Sequence, residues 1–218
     1  MKALIARKWE IIFAFLCFMN LAFGHALKTF CPVLQQSLKD QSTCRQEGFD
    51  LICDGDISVW SPGQMPNEIQ TLTINSTKIK TLPACSFYDF SINTIIIEDN
   101  LDLSDIDRDA FVGIENLNTL IIRRNPKLNL PNLFRVFRSL NQLENLILEE
   151  NSIQSDVDDF EEVLDEDDVD LSSLNAISLF GNPLKNITIS LFKPLLNSPL
   201  QELNLQNCQI EVVEKGTW

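Results

Sequence analysis

The sequence predicts an α/β repeat solenoid with a short-stranded parallel sheet, and three observations support this fold. A nine-residue pattern of Ile and Leu recurs six times along the chain. An export-like segment stands at the N-terminus, so the chain is expected to enter an oxidising compartment. Cysteines cluster before the repeats and in the first of them, where the end of a solenoid needs covering.

The first segment, residues 1–24, has the features of a cleaved signal peptide. Basic residues precede an apolar run over residues 11–23, and small residues follow at Ala22 and Gly24. The run is shorter than the roughly 20 residues that a helix needs to span a membrane, and no later segment is long enough. Cleavage removes Cys17 and leaves five cysteines, so at least one is not paired within the chain.

Each repeat places Ile or Leu at offsets 0, 3 and 5 and closes with a small residue at offset 8. A strand alternates its side chains, so offsets 3 and 5 point inward while offsets 4 and 6 point outward. One strand cannot bury its own apolar face, so neighbouring repeats stack and share a core. The repeats start at Ile69, Ile92, Leu117, Leu143, Leu174 and Leu200.

The closing residues are predicted to form a structural ladder. An Asn side chain carries both a donor and an acceptor, so it can bond the turns above and below its own. Because Cys208 occupies such a position, it is expected to be a free thiol. The ladder positions are Thr77, Asn100, Asn125, Asn151, Asn182 and Cys208.

This L-x-x-L-x-L-x-x-N/C pattern over residues 69–210 resembles the extracellular leucine-rich repeat family. The resemblance implies a horseshoe with the sheet on its concave face, and protein recognition rather than catalysis. It implies an N-terminal cysteine cap over residues 25–68 and a solenoid of about six repeats over residues 69–218. Phenylalanines are implied on the convex side, and a short helix is expected within residues 131–140.

The resemblance also implies two disulfides among Cys31, Cys44, Cys53 and Cys85. Four cysteines allow three pairings, and the position of Cys85 inside the first repeat leaves the connectivity open. No C-terminal cap is visible. Either the chain is a fragment of a longer ectodomain, or a partner or a second copy covers its open end.

Outward residues of the repeats provide the candidate protein-binding site. At offset 4, three consecutive isoleucines are expected to form an exposed apolar stripe, edged by charges and one aromatic ring at offset 6. One interpretation is an interface; the other is that β-branched residues simply suit strands. The predicted contacts of an extracellular protein ligand or co-receptor are Ile96, Ile121, Ile147, Glu98, Arg123, Glu149 and Phe180.

Two sequons predict N-glycosylation, at Asn75 and Asn186. Asn75 falls at offset 6, on the concave side, whereas Asn186 lies beyond the turn of the fifth repeat.

Other functional classes find little support. A net charge of −14 argues against nucleic acid as a partner. The single histidine, His25, lies outside the repeats, so neither catalysis nor a metal or other cofactor is expected. An N-terminal histidine could hold copper, but such sites recruit further imidazoles and the sequence has none.

The acidic run over residues 156–170 explains the longest spacing between repeats, 31 residues. Its simplest interpretation is a solvated insertion. The alternative is an acidic secreted matrix or calcium-associated protein, although the run lacks the Gly and the terminal Glu of an EF-hand loop. A third possibility is a non-catalytic subunit of a secreted complex.

Overall fold

The computed structural model describes residues 31, 44–60, 68–130, 133–155 and 169–216. The chain divides into two compact units, Met1–Lys39 and Asp40–Trp218. Cys31 is the described residue of the first unit, and the fold below is that of the second. The predicted signal peptide and residues 156–168 of the acidic run lie outside the described residues.

The main element is an eight-stranded sheet in which the strands of successive turns lie side by side. The first two strands form an antiparallel hairpin, and every later neighbour pairs in parallel. In sheet order the strands are β1 Cys44–Glu47, β2 Asp50–Gly55, β3 Thr71–Thr77, β5 Thr94–Glu98, β7 Thr119–Arg123, β8 Asn145–Glu149, β9 Ala176–Ser178 and β11 Glu202–Asn204. Each sequence repeat thus supplies one strand, which confirms a repeat solenoid of about six turns with a parallel sheet.

The core lies behind this sheet and consists of the repeat residues themselves. Neighbouring strands align offset with offset: Leu72 pairs with Ile95, and Ile95 with Leu120. All Ile and Leu residues at offsets 0, 3 and 5 are buried in the first five turns. In the sixth turn, Leu200, Leu203 and Leu205 are only half-buried. The core therefore thins towards the last described strand.

A left-handed residue follows the strand in every turn. The residue at offset 7 has a φ between 51° and 72°, just before the ladder residue. This conformation turns the chain sharply away from the sheet. Only one turn has glycine at this offset, Gly181. Besides its left-handed φ, glycine suits this position because a Cβ would lie 3.0 Å from the Glu150 Cγ atom. The residues are Ser76, Asp99, Arg124, Glu150, Gly181 and Asn207.

The return segments differ from the expected α/β pattern. The described α-helix Ile189–Phe192 has four residues, and the helix expected within residues 131–140 is a 3-10 helix, Leu133–Phe137, followed later by a second, Lys193–Leu195. The remaining segments are turns and two-residue strands, β4 Thr81–Leu82 with β6 Asp105–Ile106, and β10 Asn186–Ile187 with β12 Val212–Val213. The α/β class is therefore not confirmed.

The physical reason is that backbone groups in the return segments bond to the neighbouring turn instead of within a helix. The Cys85 amide donates to the Asp109 carbonyl at 2.9 Å, and the Phe87 amide to the Ala110 carbonyl at 3.3 Å. Bonds between turns satisfy these groups without helical geometry.

An aromatic stack lines the core along the return segments. The Phe87 and Phe111 rings are stacked, with centroids 5.1 Å apart, and the Phe111 and Phe137 centroids are 6.1 Å apart. Trp60, from the segment after β2, packs on Phe87 and donates its indole N–H to the Ser86 carbonyl at 3.0 Å. One aromatic column therefore joins the segment after β2 to the turns that follow.

Candidate functional site

The outward face of the sheet carries two rows of candidate side chains, which the register aligns across the strands. The row at offset 4, here called the isoleucine row, runs through Ile52, Thr73, Ile96, Ile121, Ile147, Ser178 and Asn204. The sequence pattern begins only at Ile69, so it missed Ile52, which β2 adds to this row. The signal that could have identified Ile52 is the alternation in "DLICD", which matches the strand of the repeats.

The isoleucines are half-buried rather than exposed, which corrects the expected exposed stripe. Each of Ile96, Ile121 and Ile147 keeps only part of its surface in contact with solvent. Directly paired residues on one face of a sheet lie close enough to cover one another, so each isoleucine shields its neighbours. Ile96, Ile121 and Ile147 therefore form a continuous apolar centre of the row, of which only the outer surface meets solvent.

The row at offset 6, here called the charged row, brings Asp54, Asn75, Glu98, Arg123 and Glu149 into register. Phe180 follows two residues after the end of β9, where its carbonyl accepts a hydrogen bond from the Glu150 amide at 2.8 Å.

Glu98 and Arg123 belong to a four-residue ion network that links β5 to β7. The Glu98 Oε2 atom accepts from Arg123 at 2.8 Å and from Arg124 at 2.9 Å. Arg124 also donates to both carboxylate oxygens of Asp99, from Nε to Oδ1 at 2.8 Å and from Nη2 to Oδ2 at 2.7 Å. The pattern of outward residues missed Arg124 and Asp99, because offset 7 lies in the turn rather than on the strand.

The network shifts the pKa values of two of its members, Asp99 and Arg124. Hydrogen bonding to Arg124 lowers the pKa of the Asp99 carboxyl, although burial acts in the opposite direction. The same contact with Asp99 raises the pKa of the Arg124 guanidinium. The positive charge of this part of the face is therefore already paired within the protein.

Glu149 has a different environment. Its carboxylate accepts a hydrogen bond from the Ser178 hydroxyl at 2.5 Å. Among the ion pairs of the described residues, none involves Glu149 or the neighbouring Glu150. The face consequently changes along its length, from a neutralised network at β5 and β7 to uncompensated carboxylates beside Phe180.

The ladder residues join consecutive turns through buried hydrogen bonds. The Asn100 Oδ1 atom accepts from the Thr77 amide at 2.9 Å, and the Asn125 Oδ1 atom accepts from the Asn100 amide at 3.0 Å. The amides of Asn125 and Asn151 donate in the same way, each at 3.1 Å, to the Asn151 and Asn182 side chains. The side-chain Nδ2 atom of each ladder Asn also donates to a backbone carbonyl of the preceding turn, as Asn125 does to the Ile97 carbonyl at 3.1 Å.

The cysteines fall into two groups. Cys44 and Cys53 form a disulfide that closes the β1–β2 hairpin, and Cys31 and Cys85 each take part in a disulfide. Cys208 is free and buried, and its thiol donates to the Leu179 carbonyl at 3.1 Å. Burial raises the pKa of the Cys208 thiol. Cys208 therefore continues the ladder position with a weak donor and no amide oxygen.

Both sequon asparagines are half-buried. Asn75 lies near the end of β3 in the charged row, and Asn186 begins β10 in a separate two-stranded sheet. The two positions are thus on different surfaces of the solenoid.

Over the described ranges, no three His, Cys, Asp or Glu side chains group in a way that could hold a metal ion. No helix in that part of the chain is long and apolar enough to cross a membrane. His25 and most of the acidic run lie outside it, so the calcium alternative stays a prediction and the expectation that His25 holds no metal is not tested.

Comparison with known proteins gives little further information. No family model matches the chain, and no curated protein matches it. Among solved structures, that of human 5T4 (Wnt-activated inhibitory factor 1, trophoblast glycoprotein) is similar over 76% of this chain and 81% of that chain. The sequence identity is 16% and the TM-score is 0.41, a level of similarity that does not indicate a ligand for this chain.

Proposed function

We propose that this chain is an extracellular leucine-rich repeat module that binds a protein ligand through the outward face of its sheet. The observation that carries the proposal is the continuous apolar centre of the isoleucine row, bordered by charges and by Phe180. Interfaces combine an apolar centre with a polar rim and favour aromatic residues, and this face has all three properties. The Cys44–Cys53 disulfide and the export-like N-terminus support an extracellular location.

Charge indicates the chemistry of the ligand. Arg123 and Arg124 are paired with Glu98 and Asp99, so they offer no free positive charge to a partner. Glu149 and Glu150 have no such partner among the described residues. A protein segment that presents apolar side chains together with a Lys or Arg complements this arrangement, and the cation would lie near Glu149 and the ring of Phe180.

Mutation of the isoleucine row tests the proposal. The secreted chain is screened against an array of purified extracellular domains, and each hit is measured again by biolayer interferometry with Ile121→Asp. We expect this substitution to weaken binding more than tenfold, because it places a charge in the apolar centre of the interface. Since Ile121 is half-buried, Ile121→Thr serves as a milder variant, and Thr73 already occupies the same row.

The matched control is Leu101→Asp. Leu101 is 65% exposed and lies in a turn directly after the ladder residue Asn100, away from the isoleucine row. The substitution Leu101→Asp adds the same negative charge at an apolar position outside the proposed interface. Hits that keep their affinity in Ile121→Asp, or lose it equally in Leu101→Asp, would refute the proposal.

A further inference from the structure

We infer that a glycan on Asn75 covers the β3–β5 part of the outward face and confines the protein ligand to strands β7–β9. That a protein ligand binds this face rests on the proposed function. The position and the reach of the glycan rest on the geometry of Asn75 alone, so the two ideas can fail separately.

The side-chain amide of Asn75 is hydrogen-bonded differently from that of the ladder asparagines. Its Oδ1 atom accepts a hydrogen bond from the Ser76 hydroxyl at 2.6 Å. Its Nδ2 atom, which would carry the sugar, donates to none of the described residues. By contrast, the Asn100 Nδ2 atom donates to the Ile74 carbonyl at 3.0 Å and to the Glu98 carbonyl at 2.9 Å. A glycan on Asn75 therefore breaks no hydrogen bond of the described fold.

The register determines what this glycan would cover. Asn75 pairs with Asp54 on one side and with Glu98 on the other. Thr73 lies two residues before it on the same face, and Ile96 is the residue paired with Thr73. Adjacent strands are about 4.8 Å apart, so a bulky glycan attached here lies over these residues. Ile147 is two further strands away.

What remains uncovered is the apolar and acidic part of the face. Ile121 lies on β7, and Ile147 and Glu149 lie on β8. Phe180 follows two residues after β9. We therefore assign ligand contact to these residues, and Ile96 and Glu98 to the region beneath the glycan. This divides six of the seven predicted binding residues into two groups with different roles.

Asn186 provides a natural contrast. It pairs with Val212 in the two-stranded sheet of β10 and β12, so a glycan there leaves the outward face free. Asn186→Gln is consequently the matched control for Asn75→Gln, with the same chemical change at a different surface.

The first measurement is occupancy. The chain is secreted from eukaryotic cells, glycans are released enzymatically in heavy-oxygen water, and peptides are analysed by mass spectrometry. We expect the mass shift of a released glycan at Asn75. An unmodified Asn75 would overturn the inference.

The second measurement is accessibility, and it needs no ligand. Carbene footprinting labels exposed apolar side chains in the wild type, in Asn75→Gln and in Asn186→Gln. We expect labelling of Thr73 and Ile96 to rise in Asn75→Gln only, with labelling of Ile147 unchanged. No rise at Ile96, or an equal rise at Ile147, would overturn the inference. If Asn75→Gln is not secreted, enzymatic deglycosylation of folded Asn186→Gln, in which Asn75 is the remaining sequon, gives the comparison.

A relocated sequon checks that the method detects a glycan on this face. The double substitution Glu149→Asn with Asn151→Thr creates a sequon at the position that corresponds to Asn75. Asn151→Thr removes the Oδ1 atom that accepts from the Asn125 amide, so labelling is measured only on chains that are secreted and folded. With this sequon occupied, labelling of Ile147 should fall. A fall at Ile147 without any effect of the Asn75 glycan on Ile96 would contradict the inference.

Discussion

At the scale of single residues, the ladder asparagines do the most to satisfy buried polar groups. Asn125 shows the pattern: its Oδ1 atom accepts from the Asn100 amide, and its Nδ2 atom donates to the Ile97 carbonyl. The residue is completely buried, so no water replaces a lost bond. Buried polar groups without partners cost far more than a typical hydrogen bond contributes.

We predict that Asn125→Ala lowers the free energy of unfolding. It removes the acceptor of the Asn100 amide and one donor to the Ile97 carbonyl, and a buried amide left unpaired costs roughly 1–3 kcal/mol. Chemical denaturation followed by circular dichroism measures the loss. Asn141→Ala is the control, because Asn141 is exposed. Equal stability of Asn125→Ala and Asn141→Ala would show that the ladder does not support the fold.

At the scale of elements, ion pairs connect strands that are 25 residues apart in sequence. Arg124 and Asp99 both follow their strands in left-handed turns, which aim their side chains at each other. Both side chains are partly exposed, at 38% and 39%, so solvent screens the pair. Its contribution to stability is therefore no more than about 1 kcal/mol.

This contribution should depend on pH. Because the folded pKa of Asp99 is lowered, its stabilising effect is present above the ordinary Asp pKa and is lost as pH falls through the folded pKa. We expect Arg124→Gln to lower the melting temperature at neutral pH, and this difference from the wild type to shrink in acid. Calorimetric melts across that range measure it. Arg108→Gln, at an exposed arginine, serves as control; a constant difference for Arg124→Gln would contradict the assignment.

How far the sequence predicts these elements depends on the element. The spacing of Ile and Leu predicts the strands, their register and the core, because each repeat must bury the same positions. The return segments are harder to predict: Pro131 favours a helix, yet the structure has a 3-10 helix over Leu133–Phe137. The half-burial of Ile121 and the contact of Arg124 with Asp99 depend on neighbours from other turns, which the local pattern does not contain.

At the scale of the whole molecule, the solenoid is not uniform from end to end. The β1–β2 hairpin is closed by a disulfide at one side of the sheet. At the other side, β11 pairs with β9, and its inward residue Leu203 is only half-buried. Stability in a solenoid is the sum of contributions from each turn and from its contacts with neighbours, so a turn with less burial opens more readily.

Hydrogen exchange should reveal this gradient. We expect the amides of β11, Glu202–Asn204, to exchange faster than those of β7, Thr119–Arg123, and of β2, Asp50–Gly55. Mass spectrometry of exchange on the folded, secreted chain provides the comparison. Matching protection in β11 and β7 would instead mean that the whole sheet opens as one cooperative unit.

The direction of the ladder has a consequence for how such a chain is made. The Asn100 side chain serves the amide of Thr77, and the Asn182 side chain serves the amide of Asn151, so each turn is completed by the next. During synthesis, the backbone N–H of the newest ladder residue therefore has no ladder acceptor until about 25 more residues have emerged. Duplication of an internal turn then adds one donor together with the acceptor that serves it, so the number of turns can change in evolution while the unmet donors at the growing end stay the same.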